Sequence, residues 1–453
     1  MEKILYRSTN RASEVVDFKY AVLKGQAPDY GLYMPVKIPF LKKTEIDLLK
    51  GKSYSQIAFS ALSKFLENEI PSEKINEIVE RAYNFEVPLE KINENLYILY
   101  LDRGPTASFK DFAARFMAEI MQYLADEENL NLTVLVATSG DTGGAIASAF
   151  FDKENIKVVV LFPEREITEV QRKQMTTLNK NIIPIALKGK FDDCQSLVKM
   201  AFNDPELKNL NLTSANSINI SRLLPQSVYY FYAFSKLNFE KIVFSVPSGN
   251  FGNLMGGVIA KKMGLPVEKF IVAVNENDEF PKFLETGEYK PVIPSRKCNS
   301  NAMNVGHPSN LARLIDLYGG WIYDERSIDG KVIKHGVLKE KPDMKKMKED
   351  FVSFSIKDEE VKETIKKYYQ KYKIILDPHG AVGIAAFEKS NIDEPVISIE
   401  TAHPGKFPEV IKEVLGIEPE MPETLKNLIS KEEKFIVLEN NYNIFKKFLK
   451  DLK

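Results

Sequence analysis

The run Leu135-Val-Ala-Thr-Ser-Gly-Asp-Thr-Gly-Gly-Ala-Ile-Ala147 decides the class of fold. An apolar strand at 132–137 gives way to small polar residues, and a helical pattern over 145–151 follows directly. Working outward, the same change of period recurs. A strand at 157–162 precedes a helix at 167–178, and a strand at 182–187 precedes a helix at 193–202. Further along, strands at 241–246 and 270–274 flank a helix at 254–263, and 396–400 is a late strand. Apolar alternation that switches between a period of two and a period of 3.6 predicts an α/β fold with parallel strands and right-handed crossovers. The number of strands suits two sheets better than one.

Composition sets limits around that core. The chain has 453 residues, long enough for roughly two to four domains. Hydrophobic residues make up 44% and charged ones 28%, as in ordinary globular proteins. Lys+Arg 62 against Asp+Glu 63 gives a net charge of −1. No basic excess therefore points to nucleic acid or an anionic membrane. The longest apolar runs fall far short of a membrane span. The opening MEKILYRSTN lacks a basic-then-apolar signal, so a cytoplasmic location is expected. Cys194 and Cys298 form neither a cysteine-only zinc site nor a disulfide framework. His307, His335, His379 and His403 are scattered without metal-ligand spacing, so no metal is expected. Residues 1–95 read as a helical, polar-rich unit. The Lys/Glu-rich stretch 337–373 reads as a solvated helical face, and the tail beyond about 410 as helical and peripheral.

Upstream of the first strand, Ser108-Phe-Lys-Asp-Phe-Ala-Ala-Arg-Phe-Met-Ala-Glu-Ile-Met121 has the apolar spacing of an amphipathic helix. Ser108 and Asp111 suit an N-cap pair. That places Lys110 in the first turn, where the helix dipole and the flanking Phe109 and Phe112 favour the neutral amine, the form that attacks an aldehyde. Alone, Lys110 reads as an exposed residue at a helix start. Ser139, Gly140, Thr142, Gly143 and Gly144 form an anion cradle where strand meets helix. A second such cradle lies in Val243-Phe-Ser-Val-Pro-Ser-Gly-Asn-Phe-Gly-Asn-Leu-Met-Gly-Gly-Val258. Neither is a P-loop and neither fits GxGxxG, which disfavours a nucleotide triphosphate or a dinucleotide. Most glycine-rich turns only join elements. Two cradles below a suspect lysine suit a compact phosphorylated cofactor that carries an aldehyde, with pyridoxal 5′-phosphate (PLP) the candidate.

Five motifs in order carry a resemblance: Gly104-Pro-Thr-Ala-Ser-Phe-Lys-Asp-Phe112, Thr138-Ser-Gly-Asp-Thr-Gly143, Ser214-Ala-Asn-Ser-Ile-Asn-Ile-Ser-Arg222, Val246-Pro-Ser-Gly-Asn-Phe-Gly-Asn253 and Thr401-Ala-His-Pro-Gly-Lys-Phe407. With Tyr6-Arg-Ser-Thr-Asn10 and Gly31-Leu-Tyr-Met-Pro35, they make the chain resemble the threonine synthases of the longer bacterial and fungal type, from near its start to about residue 415. The resemblance implies PLP-dependent fold type II, like the tryptophan synthase β subunit: two parallel-sheet domains plus an N-terminal helical extension. The implied divisions are 1–95 for the extension, 96–127 with 236–410 for a large PLP-binding domain, 128–235 for a small mobile domain, and 411–453 for a helical tail.

It also implies roles. Lys110 matches the lysine that holds PLP as a Schiff base. Gly249, Asn250, Phe251, Gly252 and Asn253 match the loop for the PLP phosphate. Asp141 stands where relatives place a side chain near the ring hydroxyl; many in the wider fold have Asn there. Thr401 matches the hydroxyl facing the pyridine nitrogen, a neutral partner that does not hold that nitrogen protonated. Glu400, its strand neighbour, should face away as a structural carboxylate. The implied reaction is a β,γ-replacement that turns O-phospho-L-homoserine and water into L-threonine and phosphate. Ser139 and Thr142 are candidates for the substrate carboxylate. Asn216, Ser217, Asn219 and Arg222 are candidates for its phosphate, with Asn219 and Arg222 on one helix face. Arg222 also reads as an interdomain salt bridge. His379 and His403 read as loop-holding residues, and Lys406 as an anion-binding candidate. A monomer is implied, with a dimer left open.

Three other functions compete. One is a different PLP enzyme of this fold: a serine/threonine dehydratase, a cysteine synthase, or a phospho-lyase that adds no water. The segment Ser214–Asn219 and Thr401-Ala-His-Pro404 argue against the first two. The second is a non-catalytic binding protein for a phosphorylated metabolite, against which Lys110 argues. The third is a purely structural α/β protein.

Overall fold

The strand Ile156–Pro163, IKVVVLFP, is buried along nearly its whole length. A continuous apolar run of this kind belongs to a parallel sheet covered by helices on both faces. The structure, a computed structural model, describes residues 3–327 and 330–452. Met1, Glu2 and Lys453, which the expected end units include, lie outside the described residues. Two parallel sheets form the body. The five-stranded sheet runs Ile436–Glu439, Ile182–Lys188, Ile156–Pro163, Leu132–Ala137, Leu212–Ser214. The six-stranded sheet runs Phe351–Ser355, Val267–Val274, Ile242–Pro247, Val396–Glu400, Leu96–Tyr100, Leu89–Lys91, with only the last pair antiparallel.

Two stretches depart from the sequence reading. The tail expected to be helical over 411–453 does contain helices Glu423–Ile429 and Tyr442–Asp451. It also supplies Ile436–Glu439, an edge strand of the five-stranded sheet. Arg172 holds it there through Glu433, at 2.8 Å. Likewise, the Lys/Glu-rich stretch hides Phe351–Ser355, an edge strand of the larger sheet. In both, a short apolar run is outvoted in composition by charged flanks, and pairing with a parallel neighbour decides its state.

The N-terminal unit does not stand apart. Tyr6–Ser8 and Tyr33–Pro35 pair as an antiparallel ribbon, so the unit expected to be helical also contains a small sheet. Helix Tyr54–Leu66 packs on helix Val228–Ser235, and helix Ser72–Ala82 on the lysine-bearing helix Lys110–Glu127. The Tyr54 ring meets those of Tyr83, Phe112 and Tyr232 at 4.9, 5.1 and 5.2 Å. Phe112 is fully buried at this seam, and truncation to alanine would cost about 3–5 kcal/mol. The extension thus braces the helix that carries Lys110. No described helix is long and apolar enough to cross a membrane.

Candidate active site

The C-terminal ends of the two parallel sheets supply the site, as expected where helix N-termini collect at strand ends. In the small sheet, strand Leu132–Ala137 passes through Gly140, at φ 137°, into helix Asp141–Phe150. Thr138 Oγ1 accepts the N–H groups of Gly140 and Gly143 at 3.0 and 2.8 Å. Two of the cradle's amides are therefore already used. Asp141 lines the central cleft. Ser139 and Thr142 are half-buried beside it and do not line it.

In the large sheet, strand Ile242–Pro247 turns into helix Gly252–Lys262, whose first turn has no side-chain cap. Uncapped N–H groups at a helix N-terminus suit an anion. Gly249, Asn250, Gly252 and Asn253 line the cleft. A Cβ on Gly249 would stand 2.9 Å from the Ala302 carbonyl oxygen, so only glycine leaves that wall undisturbed. Asn253 Nδ2 donates to Pro247 O at 2.7 Å and fixes the turn. Phe251 is fully buried with φ 61°, a left-handed conformation, and its ring meets Phe280 edge-on at 5.0 Å. It shapes the turn from behind and does not line the cleft.

Lys110 is the first residue of its helix, and its Nζ lies 4.6 Å from the centre of the Phe109 ring. Burial, with repulsion from Arg222 and Lys406, lowers its ammonium to about 8 against the pull of Asp141. The predicted Ser108–Asp111 cap pair does not form. Asp111 instead accepts Thr106 N and Thr106 Oγ1 at 2.8 and 2.7 Å, because the Gly104–Thr106 turn folds back onto it. Ser108 Oγ is buried without a partner. The lysine loop is clamped to the last strand by Phe109 N to Thr401 O, at 2.8 Å, and by His403 N to Ala107 O, at 3.0 Å. Thr401 lines the cleft opposite.

Lys406, fully buried, contacts Asp141 at 2.6 Å and donates to Thr106 O at 3.0 Å. Burial alone would raise the Asp141 carboxyl; the Lys406 ammonium outweighs it and holds the group at about 2. Gln171 Nε2 adds a donor at 3.1 Å. His379 Nε2 accepts Ala302 N at 3.1 Å, so its proton sits on Nδ1, 2.5 Å from Asp377. His403 caps Gly405 N, and burial lowers it to about 4. Both histidines hold loops. Glu400 is turned away and accepts Asp377 N at 2.7 Å; burial, with the Asp377 charge, raises it well above the carboxylate range.

The substrate candidates separate. Ser217 and Arg222 line the cleft. Arg222 Nη1 donates to Ala215 O at 2.5 Å and its Nε is buried without a partner. Burial, opposed by Asp111, lowers it to about 10. No carboxylate pairs with it among the described residues, which removes the salt-bridge alternative. Asn216 is half-buried and donates to Ala137 O at 3.0 Å. Asn219 is a correction: it is the N-cap of helix Ile220–Leu223, and its amide bonds Val22 O, Ser214 O and Ser221. Nothing of it is left for a ligand. Gln226, His379 and the Ala302–Met303 turn also line the cleft; no sequence signal marked Gln226 or that turn. Two of the scattered histidines also meet: His307 and His335 lie 3.0 and 3.3 Å from Asp324.

The chain matches three family models: pyridoxal-phosphate dependent enzyme over 80–401, threonine synthase N terminus over 5–83, and threonine synthase C-terminal over 380–449. It is 39% identical to threonine synthase of Escherichia coli K12 over 418 residues, 91% of each chain. The chain belongs to the threonine synthase family. It is 40% identical to the Haemophilus influenzae threonine synthase over 420 residues, again 91% of each. The PLP-bound threonine synthase of Brucella melitensis superposes with a TM-score of 0.91 at 35% identity, over 99% of both chains. A tomato threonine deaminase, at 17% identity and a TM-score of 0.54, shares the fold alone. The fold is PLP-dependent type II, and PLP is the cofactor. The residues present fit it: an amine with no hydrogen-bonded or ion-paired partner among the described residues, an uncapped helix N-terminus and a glycine wall with no room for a Cβ. Within the threonine synthase site, Asp141 is held as an anion by a lysine far away in sequence.

Proposed function

We propose that the chain converts O-phospho-L-homoserine and water into L-threonine and inorganic phosphate. The observation that carries this reading is a Lys110 amine with no hydrogen-bonded or ion-paired partner among the described residues, lying between two strand-end cradles in a chain that threonine synthases match over most of its length. Lys110 would carry the cofactor through its aldehyde, Gly249–Asn253 would hold its phosphate, Thr401 would face its ring nitrogen and Asp141 its ring hydroxyl. When bound, PLP supplies an electron sink for a carbanion at the substrate's α-carbon.

The chain's own groups do the rest. Freed from the cofactor, Lys110 is a base whose ammonium sits at about 8, poised to take a proton at the α-carbon and return it nearby. Arg222, with its free Nε, Ser217 and Asn216 would grip the phosphate ester that departs. Ser139 and Thr142 stand beside the cleft, which supports a small unit, 128–235, that closes over substrate to bring them to its carboxylate. Closure would also admit the one water that adds late and exclude others early. We assign the domains as read from the sequence, with Ile436–Glu439 added to the small unit, and a monomer acting in the cytoplasm. The test is an assay of purified holoenzyme with O-phospho-L-homoserine. Threonine formed in step with phosphate supports the synthase; 2-oxobutyrate in its place would make the chain a phospho-lyase.

A further inference from the structure

Arg313, on helix Leu311–Leu317, is the largest side chain that the fold buries completely. All five of its N–H groups are used. Nε and Nη2 donate to Tyr33 O at 3.2 and 3.1 Å, and Nη2 also to Ile218 O at 2.6 Å. Nη1 donates to Ser217 O at 3.0 Å and to Asn310 Oδ1 at 2.7 Å. Among the described residues no carboxylate pairs with it, and burial pulls it down to about 9. A buried cation compensated only by carbonyls is costly, and an apolar side chain of the same size would avoid that cost. What a guanidinium alone provides is a rigid planar fork that reaches several segments at once.

Of those segments, the one at 217–218 lines the cleft through Ser217, and Asn310 bonds the turn that lines it. Tyr33 belongs to the N-terminal ribbon. Ser217 and Ile218 lie in the stretch that leads into Arg222. Asn310 relays the fork to the cofactor turn: its Nδ2 donates to Asn250 O at 2.9 Å and to Ser217 Oγ at 3.3 Å. Ser309 N adds a bond to Asn250 Oδ1 at 3.4 Å.

We propose that Arg313, through Asn310, is a positioning residue that sets Ser217 and Asn250 against each other across the cleft and makes the N-terminal ribbon part of the active site. The inference rests on the reading of Ser217 as a substrate contact and Asn250 as a cofactor contact. It gives the N-terminal unit a role in the reaction beyond covering the core. Lysine cannot replace the arginine, because one ammonium cannot span three carbonyls and an amide.

The test uses holoenzyme carrying Arg313→Lys or Asn310→Ala, with Ser217→Ala and Asn250→Ala as references. Three quantities are read: KM and kcat for O-phospho-L-homoserine by phosphate release, PLP Kd by titration of the apoenzyme, and Tm. Asn310→Ala should raise both PLP Kd and KM about tenfold, as expected for loss of hydrogen bonds tied to a charged group, with kcat within about threefold. Arg313→Lys should raise KM at least as much. Wild-type KM and Kd with only a lower Tm would mean a merely structural arginine and overturn the proposal. If Arg313→Lys does not fold, Asn310→Ala decides alone on the same criteria. If Ser217→Ala and Asn250→Ala leave KM and Kd unchanged, the reading of the site fails and the proposal falls with it. If they raise KM and Kd while Asn310→Ala does not, the proposal alone fails.

Discussion

Replacing Lys406 with Met removes the one cation that is ion-paired with the buried Asp141 among the described residues. Asp141 is held at about 2 against an ordinary 3.8, a depression that corresponds to stability on the order of 2 kcal/mol at neutral pH. The single variant should lose more, about 3–5 kcal/mol, because the carboxylate is left buried and unpaired. Because the native Asp141 pKa is depressed, its contribution in the wild type is complete above pH 3.8 and lost as pH falls from there to about 2. Without Lys406, burial raises that pKa, so the variant should recover stability relative to wild type as pH falls from 7 towards 4. Urea denaturation of the apoenzyme at pH 7 and pH 4.5, with Asp141→Asn and the double variant, makes the comparison. A coupling energy of about 2 kcal/mol or more is expected, with the double variant more stable than Lys406→Met. Additive effects within about 0.5 kcal/mol and parallel pH profiles would refute an ion pair between these groups.

Three further perturbations probe other walls of the cleft. Gly249→Ala pushes a methyl to 2.9 Å from the Ala302 carbonyl; overpacking of about 1–3 kcal/mol should appear as weaker PLP retention, measured by apoenzyme titration. Arg222→Met should raise KM for O-phospho-L-homoserine by about 10- to 150-fold, equivalent to about 1.5–3 kcal/mol for a charged hydrogen bond, while the absorbance of bound PLP is unchanged. Glu400→Gln should keep near-wild-type activity, since burial and the neighbouring Asp377 charge already favour the uncharged form of this side chain and glutamine has its shape. Because the folded-state pKa is raised, the wild type loses stability as pH climbs above about 4.5, and this variant should be free of that loss in denaturation runs from pH 5 to 9.

Much of this was legible in the chain itself, and the failures have physical causes. Strand-then-glycine-then-helix patterning located both cradles, because the local backbone there dictates residue type. Lys110 alone reads as an exposed residue at a helix start, and only the two cradles downstream single it out; in the structure, burial with the Arg222 and Lys406 charges disfavours its ammonium. The Asp141–Lys406 pair was not, since it joins two motifs through tertiary packing that no local spacing encodes. Asn219 misled because a spacing of three from Arg222 suggests a shared face, yet the residue sits just outside the helix and spends its amide as a cap. Ser108 and Asp111 have the spacing of a cap pair, but the preceding turn offers Asp111 a better donor in Thr106. The strands Phe351–Ser355 and Ile436–Glu439 were hidden by charged flanks and form only against a neighbouring strand.

Lys110 is proposed as the amine that carries the cofactor. Borohydride reduction of the purified holoenzyme, followed by digestion and mass spectrometry, tests it most directly. A single phosphopyridoxyl group on the peptide containing Lys110 is expected. A group on Lys406 or any other lysine, or none at all, would contradict it.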